Sequence, residues 1–212
     1  MDGGARSEFD AFYAAFSERF RGPYDLVKRR LRVHAEYLKA NGGPPGPLLD
    51  LGVGRGEWLA IAAEFGWPCT AVDHNPKVVA AAKAHGFDVI AADAFDHMRT
   101  LPAESLGAVT AFHIIEHLEA HDQVRLFREA FRLLKPSGYL ILEWPNPEHP
   151  RVSAYSFWLD PTHRVPLPHE LLAFMAEYSG FTDMKLVRLD DGKPVDKPAL
   201  DIALIARKPN SD

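Results

Sequence analysis

The sequence predicts an α/β fold in which seven strands form a mostly parallel sheet, with helices on both faces and two extra helices at the N-terminus. From residue 48 onward, short apolar runs alternate with helical stretches, as in parallel sheets whose crossover connections are helices. The last two apolar runs flank a turn signal, Asp191-Gly192, which predicts that the sheet ends in an antiparallel pair. The length of 212 residues fits one domain.

The first 40 residues predict two amphipathic helices. Aromatic residues recur there at spacings of three and four, as on one helix face: Phe9, Phe12, Tyr13, Phe16 and Phe20. Gly22-Pro23 ends this helix, and a second helix follows before a loop rich in glycine and proline at 41–47. We therefore describe residues 1–46 as a helical cap that belongs to the same domain as residues 47–212.

The remaining elements follow in chain order. Strands are expected at 48–51, 70–73, 89–92, 108–113, 139–143, 184–189 and 199–206. Helices are expected from residue 57, from residue 76, and near 95–101, 122–134 and 169–179. The stretch 144–168 is rich in proline and aromatic residues, which predicts a long loop beside the carboxyl edge of the sheet.

The composition excludes several classes of protein. There are 24 basic and 29 acidic residues, and the net charge of −5 argues against a protein that coats nucleic acid. No apolar run approaches the roughly 20 residues of a membrane span, and the first ten residues lack the apolar segment of a signal peptide. The single cysteine, Cys69, cannot form an internal disulfide. These features predict a soluble, cytoplasmic protein.

A glycine-rich turn follows the first predicted strand. Gly52, Gly54 and Gly56 let the backbone turn sharply and let a ligand approach it closely. Asp73 ends the next strand, where a carboxylate can accept hydrogen bonds from ribose hydroxyls. A dinucleotide fingerprint would place its third glycine at position 57, but Glu57 stands there and would repel a pyrophosphate. A ligand with an adenosine but no phosphates fits this turn better.

Residues 50–56, Asp-Leu-Gly-Val-Gly-Arg-Gly, resemble motif I of class I S-adenosylmethionine (SAM)-dependent methyltransferases. Four further segments resemble the motifs that follow in these enzymes, in the same order: 71–73, 92–94, 112–118 and 133–140. The resemblance implies a Rossmann-like fold with an antiparallel last strand, and it implies SAM as the cofactor. The cofactor-binding residues that it implies are Asp50, Gly52, Gly54, Gly56, Asp73, His74, Asp93 and Ala94.

Two residues of the N-terminal helices are candidates to cover the cofactor. Arg30 belongs to the basic run 28–32, which ordinarily marks a solvated helix face. In related methyltransferases the helices before the first strand often cover the methionine end of SAM, which implies that Arg30 reaches the methionine carboxylate. Tyr13 is the second candidate, and the alternative for its ring is packing with the neighbouring phenylalanines.

A narrower resemblance concerns the methyl acceptor. Residues 12–22, 112–118 and 158–164 resemble methyltransferases of bacterial polysaccharide gene clusters, some of which methylate a sugar. This implies O-methylation of a sugar or sugar phosphate, a small-molecule or glycan substrate, and association with glycosyltransferases. The alternatives are a methyltransferase of a small metabolite or lipid quinone, and a catalytically idle subunit that binds a partner enzyme.

Histidines are the candidate proton acceptors for a hydroxyl substrate, because the ordinary imidazole pKa of ~6.5 lies near cellular pH. We expect His113 or His163 to be the general base and His117 to line the substrate site. Four further residues of the stretch 144–168 are candidate substrate contacts: Tyr155, Trp158, Asp160 and Arg164. A phosphate or carboxylate acceptor would need no base, only a cationic clamp such as Arg164 or Arg151.

Residues 113–117 also spell His-x-x-Glu-His, a zinc-peptidase pattern. That chemistry requires both histidines on one face of a helix, whereas this segment leaves a predicted strand. We therefore expect no metal site and interpret the segment as pocket lining beyond the carboxyl end of a central strand.

Overall fold

The computed structural model describes residues 3–210, with the side chains of residues 8–17 and 19–210. One sheet of eight strands runs through these residues, in the order β3-β2-β1-β4-β5-β8-β6-β7. The strands are β1 Leu48–Leu51, β2 Cys69–Asp73, β3 Val89–Ala91, β4 Leu106–Phe112, β5 Leu134–Pro145, β6 Asp183–Asp190, β7 Lys193–Pro194 and β8 Asp201–Arg207. The helices are α1 Gly3–Phe20, α2 Tyr24–Ala40, α3 Glu57–Glu64, α4 Pro76–Ala84, α5 Ala94–Thr100, α6 Ala120–Leu133, α7 Pro150–Ala154 and α8 His169–Tyr178.

The predicted fold class is confirmed. Strands β1 to β5 pair in parallel, and β8 pairs antiparallel with both β5 and β6. The extra strand is β7, which has two residues and forms a hairpin with β6. The strand order reverses between β1 and β4, and ligands of open α/β sheets bind in the crevice beyond the carboxyl ends of such strands.

Helices cover both faces of the sheet. Every residue of β1 and β4 is buried, as expected for central parallel strands with helices on each side. One face packs against α6 and α8, and the other face packs against α2 and α3. Among the described residues, no helix has both the length and the apolar character that a membrane span requires.

The two N-terminal helices differ in their packing. Helix α2 buries Val27, Leu31 and Leu38 in the same cluster as Trp58 of α3. Helix α1 instead leaves three phenylalanine rings about half exposed: Phe9, Phe12 and Phe20. Helix α2 therefore belongs to the core, whereas much of the aromatic face of α1 is exposed.

The stretch 144–168 is not the irregular loop that we expected. It contains α7 and a 3-10 turn at Ser156–Leu159. The Trp144 indole N–H donates a hydrogen bond to the carbonyl oxygen of Leu167 at 2.8 Å, which joins the two ends of the stretch. Val152 and Phe157 are buried. We name residues 144–168 the returning segment.

Candidate active site

The glycine turn after β1 has the left-handed backbone that its composition predicts. Gly52, Gly54 and Gly56 have φ angles of +79°, +55° and +86°. A Cβ atom at Gly52 would collide with the Ile114 side chain, and one at Gly54 would collide with the Arg21 guanidinium. Glycine is therefore required here both by backbone conformation and by close approach of other groups. The turn forms a cradle that a Cβ would fill.

The carboxylate of Asp73 lies against this turn. Its Oδ2 accepts a hydrogen bond from the Val53 backbone N–H at 3.2 Å, and its Oδ1 accepts one from the Asn75 N–H at 2.8 Å. His74, the next residue, is exposed. Asp73 thus couples the carboxyl ends of β1 and β2 and lies beside the glycine turn, as the sequence predicts.

Asp93 and Ala94 lie at the start of α5. The Asp93 carboxylate caps this helix by accepting hydrogen bonds from the backbone N–H groups of Phe95 at 2.9 Å and Asp96 at 3.0 Å. Ala94 is half-buried. Asp93 therefore has a clear structural role, and its expected contact with the cofactor stays a prediction.

Asp50 is buried beneath the glycine turn. The Thr110 hydroxyl on β4 donates a hydrogen bond of 2.6 Å to its Oδ1. Burial raises the pKa of Asp50 to about 8, although the bond from Thr110 and the charge of Arg21 oppose the rise.

Arg21, rather than Arg30, lies at the glycine turn. Arg30 Nε donates a hydrogen bond of 2.9 Å to Asp191 Oδ1, in the turn between β6 and β7. The Arg21 guanidinium packs against Gly54, because α1 ends at Phe20 and the backbone turns at Gly22 with φ +92°. Arg30 is thus engaged at another turn, and its expected contact with the methionine carboxylate stays a prediction. Arg21, which precedes the helix break at Gly22-Pro23, is a candidate that sequence reasoning missed.

A cluster of acidic and basic side chains surrounds His113 at the carboxyl end of β4. His113 Nδ1 lies 3.3 Å from Glu116 Oε1, and its Nε2 lies 3.5 Å from Glu143 Oε1 and 3.8 Å from Asp201 Oδ1. Burial opposes a charge on the ring, but the close carboxylates of Glu116 and Glu143 and the charge of Asp201 outweigh it. Together they raise the pKa of His113 well above its ordinary value.

His34 of α2 completes this cluster from the other side. Its Nε2 lies 2.5 Å from Glu143 Oε2, and both side chains are buried. Burial alone would raise the pKa of Glu143, but His113 and His34 lower it to about 2. Burial raises the pKa of Asp201 to about 6, against the charge of His113. Sequence reasoning missed His34, Glu143 and Asp201.

A second cluster consists of Glu116, His117 and His163, which we name the Glu-His-His cluster. One potential ligand atom from each of these residues lies within 4.8 Å of the other two. Glu116 is fully buried, and neither of its carboxylate oxygens has a hydrogen-bond partner among the described residues. Burial lowers the pKa of His117, although the Glu116 charge opposes this. We expected no metal site, but these three groups converge from the end of β4 and the returning segment.

The other predicted substrate contacts fall into two groups. Asp160 is engaged on both oxygens, since the Tyr13 hydroxyl donates to Oδ2 at 2.9 Å and the Thr162 hydroxyl donates to Oδ1 at 2.6 Å. Burial, the largest cause, raises the pKa of Tyr13 to about 12. Tyr155 and Trp158 are more than half exposed on the outside of the returning segment. Tyr13 thus fastens α1 to the returning segment.

Arg164 braces the chain after β4. Its Nε donates to the carbonyl oxygen of His117 at 2.9 Å, and its Nη1 forms an ion pair of 2.5 Å with Glu119. Its backbone N–H donates to the carbonyl oxygen of Glu116 at 3.0 Å. These contacts make Arg164 a poor candidate for a cationic clamp, because its charge is already paired.

A family model described as a methyltransferase domain matches residues 17–186. The chain belongs to this methyltransferase family. A solved SAM-dependent methyltransferase from Archaeoglobus fulgidus shares 30% sequence identity with it, at a TM-score of 0.81, and the match covers 93% of this chain and 100% of that one. The fold is therefore the Rossmann-like fold of SAM-dependent methyltransferases, and the cofactor is SAM.

Two further similar proteins are named as O-methyltransferases. A ubiquinone biosynthesis O-methyltransferase of Xanthomonas oryzae is 33% identical over 150 residues, which are 66% of this chain and 62% of that protein. The chain therefore matches less than two thirds of the length of this relative. An O-methyltransferase family protein from Burkholderia thailandensis shares the fold at 18% identity and a TM-score of 0.65, covering 100% of this chain and 61% of that one.

The residues of the cradle fit SAM. The left-handed glycine turn admits a ligand against the backbone, and Asp73 places a carboxylate beside it. Arg21 adds a cation at Gly54, as a ligand with a carboxylate end requires. No acidic or basic group of the cradle conflicts with a cofactor that carries an adenosine and an amino acid.

Proposed function

We propose that this methyltransferase acts on an uncharged hydroxyl oxygen of a small molecule. The observation that carries the proposal is the concentration of carboxylates at the carboxyl ends of β4 and β5. Glu116, Glu143, Asp160 and Asp201 all lie within ion-pair distance of His113 or His163. An anionic acceptor would be repelled by these charges in a half-buried site.

The cofactor supplies a methyl group bound to a positively charged sulfur. In the proposed arrangement, Asp73 accepts hydrogen bonds from the ribose and Arg21 pairs with the carboxylate of the methionine end. The carboxylates near β4 would also interact favourably with the positive charge of the cofactor sulfur. The protein then contributes chiefly by aligning the acceptor oxygen with the methyl group, which accounts for much of the rate in such transfers.

His113 is disfavoured as the general base. Its neighbours Glu116, Glu143 and Asp201 raise its pKa, so its ring carries a proton at neutral pH and cannot accept another. His113 instead offsets part of the negative charge of these carboxylates and holds the end of β4. His163 and His117 are the remaining histidines that can interact with an acceptor hydroxyl through a free ring nitrogen.

A cationic clamp for an anionic acceptor is equally disfavoured. Arg164 is paired with Glu119, and Arg151 belongs to the exposed helix α7. A sugar phosphate or carboxylate would find no unpaired cation beside the histidines among the side chains described. A neutral hydroxyl needs only hydrogen-bond acceptors, which this site has in excess.

The acceptor class that we favour is a phenolic hydroxyl of a lipid-quinone type, rather than a sugar. The name of the Xanthomonas relative supports this choice. Exposed aromatic rings on α1 and the returning segment, among them Phe12 and Trp158, suit an apolar or aromatic acceptor.

The test compares three acceptors under the same conditions, with SAM carrying an isotopically labelled methyl group. They are an alkyl-substituted dihydroxybenzene, the same ring with a carboxylate, and a methyl glycoside. We expect O-methylation of the uncharged phenol, slower by about tenfold or more with the carboxylate, since about 1.4 kcal/mol of repulsion gives that ratio. The variant Asp73→Ala serves as the control that loses cofactor affinity.

Two outcomes would contradict the proposal. Preferred methylation of the glycoside would favour a sugar as the acceptor. Preference for the carboxylate compound would refute the argument that the carboxylates of the site repel an anionic acceptor. Binding of S-adenosylhomocysteine without turnover of any hydroxyl compound, across a broad acceptor panel, would favour the idle-subunit alternative.

A further inference from the structure

The Glu116 carboxylate is unusual because it is fully buried without a hydrogen-bond donor. Neither oxygen has a hydrogen-bond partner among residues 3–210, and the nearest cationic atom is His113 Nδ1 at 3.3 Å. An ionised carboxylate removed from water ordinarily accepts several hydrogen bonds or coordinates a metal ion. The carboxylate therefore lacks partners that it needs.

The two histidines of the Glu-His-His cluster are oriented by hydrogen bonds through their Nδ1 atoms. His163 Nδ1 donates to the carbonyl oxygen of Phe157 at 2.7 Å, because a carbonyl can only accept. His117 Nδ1 lies 2.8 Å from Thr162 Oγ1, whose proton is donated to Asp160, so the ring is the donor there too. In the neutral form of each ring, Nε2 is then the nitrogen with the lone pair, and His163 Nε2 lies 3.8 Å from Glu116 Oε1.

We propose that Glu116, His117 and His163 bind a divalent transition-metal ion. Two imidazole nitrogens and one carboxylate form the common three-ligand set of metal sites that keep open positions. Second-shell hydrogen bonds of the kind made by Phe157 and Thr162 fix the tautomer of such ligands. Nitrogen donors favour Zn²⁺, Co²⁺ or Fe²⁺ over Mg²⁺ and Ca²⁺.

The neighbouring acidic cluster does not call for a metal ion. Glu143 and Asp201 both lie beside the His113 ring, and Glu143 also bonds to His34 at 2.5 Å. Glu143 is therefore bonded to a histidine of the protein itself, and the Asp201 side chain is partly exposed to solvent. Glu116 differs from them because, within the described part of the chain, both of its carboxylate oxygens are fully buried without a hydrogen bond.

The position of the metal site rests on the proposed function and deepens it. The side chain of Ile114, two residues before Glu116, packs against Gly52 of the cofactor cradle. An ion held by these residues would lower the pKa of a hydroxyl bound to it, and the hydroxyl would release its proton to solvent as the oxygen takes the methyl group from the cofactor sulfur. His117 and His163 would then act through the ion rather than as a direct general base.

The experiment measures metal binding without turnover. Chelator-treated protein is dialysed against Zn²⁺ or Co²⁺, and the bound metal and the visible d–d bands of Co²⁺ are recorded. We expect one ion per chain in the native protein and loss of binding in Glu116→Gln and His163→Gln. The exposed His85→Gln is the matched control and should bind like the native protein. Thr162→Val should weaken binding by about 10- to 100-fold, through the His117 ring.

Thermal unfolding provides a second measurement, whose expected result differs from that for a Glu116 with a purely structural role. Without metal, Glu116→Gln should unfold at a temperature equal to or above that of the native protein, since the buried carboxylate lacks partners. Zn²⁺ should raise the midpoint of the native protein and leave that of Glu116→Gln unchanged.

The inference and the proposed function fail in different ways. Absence of bound metal in chelated protein that still binds S-adenosylhomocysteine would overturn the metal site alone. Equal rates of methyl transfer with and without a chelator would also overturn the metal site. A histidine would then be the group that accepts the proton of the hydroxyl. Preference for an anionic acceptor would instead overturn the proposed function, whatever the metal content.

Discussion

At the scale of single residues, two arginines test how the N-terminal helices meet the cofactor. The Arg21 guanidinium packs on Gly54, whereas Arg30 bonds to Asp191. We expect Arg21→Ala to weaken binding of S-adenosylhomocysteine by about 1.5–3 kcal/mol, the usual worth of a hydrogen bond to a charged group. Titration calorimetry measures the dissociation constant of S-adenosylhomocysteine for Arg21→Ala and for the control variant Arg30→Ala. Equal dissociation constants for the two variants would show that Arg21 does not contact the ligand.

The glycine turn and Asp73 were predictable from the sequence because their roles depend on local spacing. The acid follows the turn by one strand, and parallel strands end at the same edge of the sheet. Glu143 and Asp201 were not predictable in the same way. Each resembles an ordinary strand residue, and only the antiparallel pairing of β5 with β8 brings them to the His113 ring.

At the scale of elements, the central strands β1 and β4 are joined by a hydrogen bond to a titratable carboxyl group, that of Asp50. Asp50 on β1 has a pKa of about 8 in the folded protein, above its value in the unfolded chain. The folded state therefore retains a proton that the unfolded state loses, so stability falls as pH rises between these two values. Asp50→Asn cannot titrate. We expect its free energy of unfolding, relative to the native protein, to increase with pH by up to about 1.4 kcal/mol per unit.

Denaturant unfolding of the cofactor-free protein at about pH 5 and about pH 8 checks this expectation. Asp96→Asn is a suitable control because its carboxylate is 65% exposed on α5. If the difference between Asp50→Asn and the native protein is the same at both pH values, Asp50 is ionised in the folded state.

The short elements β7 and α7 could not be predicted from the sequence, for physical reasons. Strand β7 consists of Lys193 and Pro194, which are both exposed and give no apolar period. Helix α7 begins at Pro150, where the preceding His149 ring accepts a hydrogen bond from the Arg151 N–H at 3.2 Å. Histidine is an uncommon cap, so the proline-rich composition suggested a loop instead.

At the scale of the whole molecule, the unequal packing of α1 and α2 predicts a difference in local stability. Helix α2 buries residues such as Leu31 and Ala35 in the core, whereas α1 exposes most of its aromatic face. We expect the amides of α1 to exchange with solvent by local opening, and those of α2 only by global unfolding. S-adenosylhomocysteine should slow exchange in α1, because Arg21 and Tyr13 link this helix to the site.

Hydrogen exchange with and without S-adenosylhomocysteine measures both effects in one experiment. The returning segment is an internal reference, since its buried Val152 and Phe157 predict protection before any ligand is added. Exchange of α1 and α2 at a common rate, unchanged by the ligand, would contradict the assignment of α1 as a cover for the cofactor.

The place of β8 in the sheet has a consequence for the order of events during synthesis. Strand β8 lies between β5 and β6, although both of these strands leave the ribosome before it. Until Asp201–Arg207 has emerged, the edge of β5 is open, and its residues Leu140, Ile141 and Leu142 have no neighbour on that side. Open, apolar strand edges are sites of wrong pairing between chains. The nascent protein is therefore most prone to aggregation just before β8 is inserted between β5 and β6.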